Sequence, residues 1–396
     1  DRRCERGECS EPVRVPILGA LSALLDTSEV GLFCAEGGFA VDPWRPRAGV
    51  RAIITHAHSD HARAGADEYL TSPSGEHVLR ARLGPGAKIT AIPWGLAGAV
   101  RLGDVRVSLH PAGHVLGSAQ VRVERIGGSA GPKGETWVVS GDYKVADDGV
   151  SEAFEPVRCD TFITESTFGL PIYRWRSNEE LMREVSAWWH QSAANGCLSV
   201  LLAYSLGKTQ RLMAGLARAG LAGPILLHGA AVELTAAYAR AGAALPAFEH
   251  ATKASAKAAG SKALVIGPAS IAGSAWLRGI ERASGADDLA IASASGWMQL
   301  RGVRRRAGLA RGFVISDHAD WPGLMGTIRQ TGAERVGVTH GFVSPMVRHL
   351  RETGVDAFAV ATRYVGETPG AAAEEGEADG EAGGDASGGT GAERDA

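Results

Sequence analysis

The chain has 396 residues, 45% hydrophobic and 21% charged, enough for one large or two ordinary folding units with a sizeable core. No apolar run approaches the ~20 residues that a membrane helix needs, so no membrane partner is expected. The net charge of −3 is split. From Glu367 onward nine acidic residues and one arginine give −8, which leaves a mildly basic body of +5 that suits a phosphodiester substrate.

In chain order, residues 1–25 are Arg/Glu-rich and then apolar, and carry no assignable role. The run 15–25 is too short and too broken for an export signal. Five cysteines without a Cys-x-x-Cys pair suit a reducing compartment, so the expected location is cytoplasmic. Residues 30–34 and 38–44 read as strands around a turn, and 51–55 as a strand that feeds a histidine cluster. Helices are expected at 62–69 and 75–83. Strands follow within 100–111 (broken at Gly103-Asp104), at 119–125, 136–140 and 161–164.

At Asn178 the period changes to a helical one over 178–194, with Ser177 or Asn178 as cap and Glu179 and Glu180 in the first turn. Strands at 198–203, 225–227 and 263–267 then alternate with helices at 207–219 and 230–241, the rhythm of a parallel βαβ unit. Strands at 313–316 and 336–339, a helix at 344–353 and a strand at 355–361 close the ordered part. Residues 367–396 are rich in Gly, Ala, Glu and Asp, and are expected to be a disordered acidic tail.

The densest chemistry is His56-Ala57-His58-Ser59-Asp60-His61, four candidate metal ligands within six residues at a strand end. Side chains alternate along extended backbone, so His56 and His58 point one way. Asp60 and His61 lie around the corner and can address a second ion. Further candidates stand at later strand ends: His114 among glycines, Asp142 in Ser140-Gly141-Asp142, and His340 in Thr339-His340-Gly341. A lone strand-end histidine packs or bonds backbone more often than it ligates. The joint pattern is what points to two metals.

Lys208 and Arg211 sit at a strand-to-helix turn, where backbone N–H groups and the helix dipole favour a phosphate, although a plain helix start explains the spacing equally well. Arg301, Arg304, Arg305 and Arg306 form a basic run beside Trp297, the pairing of charge and ring that a nucleic-acid backbone and base would use. Tyr173, Arg174, Trp175 and Arg176 invite the same reading.

Taken in order, Asp42, His56-x-His58-x-Asp60-His61, His114, Asp142 and His340 resemble the pattern of the metallo-β-lactamase superfamily. Glu165 in Thr164-Glu165-Ser166-Thr167-Phe168-Gly169, His318 in Ser316-Asp317-His318-Ala319-Asp320, and His340 resemble the extra motifs of its β-CASP nucleases. The stretches 41–46, 168–175, 203–211, 294–302 and 316–321 are similar to those of bacterial ligase-associated DNA exonucleases.

The resemblance implies an α/β fold. A metallo-β-lactamase αββα sandwich (26–175 and 301–366) would carry an inserted α/β β-CASP domain (176–300). It also implies one Zn2+ on His56, His58 and His114 and a second on Asp60, His61 and His340, with Asp142 bridging; Mn2+ or Mg2+ are the substitutes. Asp42 and Glu165 would receive N–H bonds from ligand histidines. His318 would contact the scissile phosphate or protonate the leaving oxygen. The implied activity is a two-zinc DNA exonuclease that trims ends by attack of a bridging hydroxide, working beside an ATP-dependent DNA ligase and a helicase. Because His340 is shared with RNA-cleaving members, an RNA-processing ribonuclease of the same fold is the alternative.

Overall fold

The computed structural model describes residues 23–127, 134–220, 223–306 and 311–363. The fold is mixed α/β, with three sheets. The first contains β1 (Asp26–Thr27), β2 (Leu32–Cys34), β3 (Phe39–Val41), β4 (Arg51–Ile53), β5 (Glu68–Thr71) and β6 (Ile89–Ala91), in that spatial order. Its β1 to β3 pair antiparallel, and β3 to β6 pair parallel. Helix α1 (Pro73–Leu83) lies between β5 and β6; Ser72 caps it and Pro73 occupies its first turn, where a missing N–H costs nothing.

The second sheet begins with the antiparallel meander β7 (Val100–Leu102), β8 (Val105–Pro111), β9 (Ala119–Arg125) and β10 (Thr136–Val139). Strand β11 (Thr161–Glu165) joins β10 in parallel. The chain then leaves through α2 (Asn178–Ala194), capped by the Ser177 hydroxyl, and builds a third sheet. That sheet runs β12 (Cys197–Leu202), α3 (Lys208–Arg218), β13 (Ile225–Leu227), α4 (Gly229–Arg240), β14 (Glu249–His250), α5 (Lys253–Ala259), β15 (Leu264–Gly267), α6 (Ala275–Ser284), β16 (Asp288–Ala294), α7 (Arg301–Arg306) and β17 (Arg311–Phe313). All of its pairings are parallel. Finally α8 (Trp321–Thr331), β18 (Arg335–Thr339), α9 (Val343–Glu352) and β19 (Asp356–Ala359) return to the second sheet, where β18 lies between β11 and β19.

Burial follows the two-residue period of the strands. Phe39, Val41, Ile53 and Leu70 of the first sheet meet Val107, Leu109, Val121, Trp137 and Ile163 of the second in one core. The outer face of the second sheet, through Val138, Phe162 and Val336, is covered by Leu324, Ile328, Met346 and Leu350 of α8 and α9. Helix α1 covers the outer face of the first through Val78 and Leu79. Four layers result: helix, sheet, sheet, helix. In the third sheet, Leu198, Val200 and Leu202 of β12 face α5 and α6, whereas Leu201 faces α2 and α3. Trp189 belongs to the latter core, as its helical spacing suggests.

Two expectations are corrected. The helix at 62–69 is absent: Gly65 takes φ +124°, and Glu68–Thr71 pairs with β4, so strand pairing overrides the helical propensity of the Ala-rich stretch. The strand at 313–316 sits earlier, at Arg311–Phe313, and it extends the third sheet past residue 300. Helices α5, α6, α7 and α8 lie outside the expected elements; α6 and α8 are short and contain glycines that weaken the pattern. Among the described residues no helix is long and apolar enough to cross a membrane.

One charged group ties the first two sheets together. Arg125, wholly buried at the end of β9, donates from Nε and Nη2 to the Glu36 carboxylate (2.9 and 2.7 Å) in the β2–β3 turn and also pairs with Glu135. Replacing it leaves two carboxylates without their fork. Arg125→Ala should cost about 3 kcal/mol, read as a lower urea midpoint; an unchanged midpoint would contradict the clamp.

Candidate metal centre

The expected ligands converge where parallel strands of the first two sheets end. Asp42 follows β3, the 56–61 cluster follows β4, Asp142 follows β10, Glu165 closes β11, and His340 follows β18. His114 comes from the β8–β9 loop and His318 from the segment after β17. Among the described residues only Asp42 (φ 42°) and His340 (φ 57°) are non-glycine residues with positive φ, so both backbone strains of this kind lie in this one site. Gly113 allows the tight approach of the His114 loop, since a Cβ there would stand 2.3 Å from the Lys144 carbonyl oxygen.

Four imidazoles are each held from outside by one nitrogen. His56 Nδ1 donates to Thr55 Oγ1 (3.0 Å), whose own hydroxyl donates to Asp42 Oδ2 (2.5 Å). His61 Nδ1 donates to the same Asp42 oxygen (2.8 Å). His114 Nδ1 donates to the Asp317 carbonyl (2.7 Å), and His58 Nε2 to the Leu206 carbonyl (3.3 Å). These bonds assign the tautomers, and in each neutral ring they aim the other nitrogen's lone pair inward.

Those inward atoms fit a metal. His58 Nδ1 and His114 Nε2 face each other at 3.1 Å. Both protons are engaged elsewhere, so the approach is that of two donors to one cation. Asp142 Oδ2 lies 3.7 Å from His56 Nε2, 3.7 Å from His61 Nε2 and 3.9 Å from His114 Nε2. Asp60 Oδ2 is 3.7 Å from His61 Nε2. Ligand atoms bound at ~2.1 Å around a tetrahedral ion stand about 3.4 Å apart. His56 Nε2 and Asp142 Oδ1 are buried with no hydrogen-bond partner among the described residues. The donor atoms form four overlapping groups, His56/His58/His114/Asp142, Asp42/His56/His61, Asp60/His61/His340 and Asp142/Glu165/His318, each within 4.8 Å, and each could hold a metal ion.

Electrostatics agree. Burial, reinforced by the neighbouring rings His61 and His114, keeps His56 well below its ordinary pKa. Burial likewise depresses His114, and brings His58 and His340 to about 4. These rings are therefore neutral and offer lone pairs. Burial works against a charge on His61 too, yet Asp60, Asp142 and Asp42 lift it to about 10. Burial and the Glu165 carboxylate raise Asp142 to about 7. Four carboxyl groups buried or half-buried around one point demand cations.

Around this centre Asp42 accepts from His61, one of the seven expected ligands, whereas Glu165 takes a different partner. Both Glu165 oxygens accept from His318 Nδ1 (3.0 and 2.8 Å), and Oε1 also accepts from the Tyr143 N–H (2.8 Å). The imidazole that Glu165 orients is thus His318, outside the seven. The His318 ring stands 4.6 Å from that of His114, beside the cluster.

Three expected nucleic-acid contacts lie in the interior instead. Lys208 is 0% exposed, with Nζ 3.6 Å from Asp317 Oδ2 and 4.4 Å above the Tyr204 ring. Arg211 is buried and donates to Asp317 Oδ1 (3.0 Å), the Ser316 carbonyl and Asn178 Oδ1 (3.1 Å). Trp297 is buried against Phe168, centroids 4.8 Å apart. Salt bridging and aromatic packing use up the groups that a ligand would have needed. Arg301 and Arg305 are exposed on α7; the side chain of Arg304 lies outside the described residues.

Sequence reasoning missed Asp317, on which this buried network turns. Burial pushes its carboxyl up, but Lys208, Arg211 and Lys144 outweigh that and hold it below the ordinary range. The available signal was an acid directly before His318, facing two bases three positions apart on one helix. Through Asp317, helix α3 reaches His114, and the turn that precedes α3 reaches His58 through the Leu206 carbonyl. Gly207 (φ +86°) permits the contact, since a Cβ there would meet Val115 at 2.3 Å.

No family model matches the chain. It is 31% identical over 330 residues, 83% of its length, to a probable DNA ligase of Opitutus terrae, and it spans only 30% of that protein. Over 137 residues, 34% of this chain, it is 28% identical to an uncharacterised protein in the lig 3′ region of Acidianus ambivalens, covering 89% of it. Over 141 residues, 33% of this chain, it is 30% identical to the transcription termination factor FttA of Thermococcus kodakarensis, covering 20% of that protein.

Arg211→Met leaves the Asp317 carboxylate short of a partner and frees the segment that orients His114. Affinity for a divalent metal ion, measured by chelator competition, should fall ten- to a hundredfold, with Arg211→Lys retaining more of it. Wild-type affinity in Arg211→Met would disconnect this network from the metal centre.

Proposed function

We propose that the chain is a two-zinc phosphodiesterase of the metallo-β-lactamase superfamily, in its β-CASP nuclease branch, and that it trims DNA ends in partnership with a DNA ligase. The observation that carries this reading is Asp142 Oδ2, within 3.9 Å of inward nitrogens from both ligand groups. His56, His58 and His114 would hold one ion, Asp60, His61 and His340 the other, and Asp142 would serve both. The four-layer stacking of the first two sheets, with a parallel third sheet inserted between β11 and β18, supports the fold assignment. On this reading residues 26–175 and 301–366 form the lactamase unit and 176–300 the inserted cap, with β17 of the cap sheet running past that boundary. Similarity to a protein named as a probable DNA ligase and to one named for the lig 3′ region supports the repair setting.

Two ions about 3.5–4 Å apart would supply a water of lowered pKa and neutralise charge on a phosphodiester. The chain's own groups do the rest. Asp42 fixes His61 directly and His56 through Thr55, so both rings present Nε2. Glu165 binds Nδ1 of His318 and stabilises its imidazolium form, which leaves Nε2 to hold the proton that passes to the leaving oxygen. Water is limited by the burial of His56, His61 and His114. The likeness to a transcription termination factor favours RNA as the second reading.

Purified protein should shorten end-labelled DNA strands as a ladder from one end. A chelator should stop the reaction and Zn2+ or Mn2+ restore it. Asp142→Asn should lower the rate by more than about a hundredfold, beyond what loss of an outer partner costs. Clear preference for a matched RNA strand would replace DNA by RNA, and no cleavage of either would overturn the reading.

A further inference from the structure

Beside the metal centre lies a second feature that the catalytic reading leaves unused. An open cleft of about 380 Å³ is lined by Arg174, Arg176, Glu184, Gln299 and Arg311 among others. It runs between the 174–176 segment, the start of α2 and the edge strand β17. Arg176 is spent on Glu184 (2.7 Å) and Glu180 (3.6 Å). Arg174 and Arg311 are exposed, and their guanidinium groups make no hydrogen bond or ion pair with the described residues; Arg311 lies 5.2 Å from the Phe313 ring centroid. Two guanidinium forks without a hydrogen bond or ion pair among the described residues therefore line one cleft, and such forks recognise phosphate oxygens in pairs. The volume is that of a site for one nucleotide-sized unit.

The cleft is anchored to the reacting end of the protein. Trp175, between the two arginines of its wall, donates from its indole Nε1 to the His318 carbonyl (2.9 Å) and from its backbone N–H to Asp320 Oδ2 (3.0 Å). Its ring packs on Phe168, 4.9 Å away, which itself adjoins the His318 ring at 6.0 Å. One residue therefore separates the cleft from the group that faces the scissile phosphate. The exposed Arg301 and Arg305 of α7 follow Gln299 closely in the chain, while Ile172, 53% exposed, offers an apolar surface, and its carbonyl accepts from Gln299 Nε2 (3.4 Å).

We infer that this cleft is a phosphate subsite for the substrate strand: Arg174 and Arg311 grip a backbone phosphate a few nucleotides from the scissile bond. The inference rests on the phosphodiesterase reading for the meaning of the word substrate, but its binding chemistry stands by itself. Such a subsite acts on long strands only. It sets KM and salt dependence, and does not touch the chemical step.

The test compares wild type with the double variant Arg174→Gln/Arg311→Gln, both at exposed positions where the fold tolerates change. Binding of fluorescently labelled 12-nucleotide DNA and RNA strands is read by anisotropy over a salt series. Hydrolysis of bis(p-nitrophenyl) phosphate is read in parallel. The expected result is at least tenfold weaker strand binding, a salt slope shallower by about 0.7 for each phosphate no longer neutralised, and small-ester turnover within twofold of wild type. Unchanged strand binding overturns the subsite. So does a wild-type protein that binds neither strand, or an equal loss of strand binding and small-ester turnover. If wild type hydrolyses nothing but binds the 12-mer through these arginines, the subsite stands and the phosphodiesterase reading falls.

Discussion

Four carboxyl groups (Asp42, Asp60, Asp142 and Glu165) and the imidazoles of His56, His58, His61, His114, His318 and His340 crowd into one pocket at the ends of the strands. Burial of that many acids is unfavourable unless positive charge is placed among them. The facing lone pairs of His58 and His114 impose the same demand in a second way. Much of the local structure serves this constraint. Thr55, Asp42, the Asp317 carbonyl and the Leu206 carbonyl each take the outward proton of a ring, and in the neutral rings of His56, His58 and His114 the inward nitrogen is left to offer its lone pair.

The fold meets the demand by gathering loops that are far apart in the chain. The first sheet brings Asp42 and the 56–61 cluster; the second brings His114, Asp142, Glu165 and His340. The third sheet adds no expected ligand, yet it sets two of them. The turn before its helix α3 reaches His58 through the Leu206 carbonyl, and α3 itself reaches His114 through the Arg211–Asp317 pair. Lys208 and Lys144 surround the same carboxylate, so the junction between the sheets is itself an ionic core. A buried network of this kind is costly when half-satisfied and rigid when complete, and that rigidity falls where ligand positions must be held.

The convergent His/Asp set was legible in the sequence because ligation leaves a residue-level signature: His and Asp at strand ends, at close spacing. Strands β2 to β4 of the first sheet, the strands of the second and the capped helix α2 were legible from period and caps. The roles of Lys208, Arg211 and Trp297 were not. A basic residue at a helix start looks the same whether it meets a phosphate or a buried Asp317, and only the tertiary partner, more than a hundred residues away, decides. The expected helix at 62–69 failed for a related reason, since strand pairing with β4 outweighs the local preference of an Ala-rich stretch. Glu165 reads from its motif as a partner of some imidazole, but only the geometry identifies that imidazole as His318.

The central claim is that one carboxylate, Asp142, serves two ions held by two separate ligand groups. Anomalous diffraction at the zinc edge, on crystals of the zinc-loaded protein, tests it directly. The account predicts two peaks about 3.5–4 Å apart, one against His56, His58 and His114 and the other against Asp60, His61 and His340, with Asp142 reaching both. A single peak, or zinc bound only away from these residues, would contradict it.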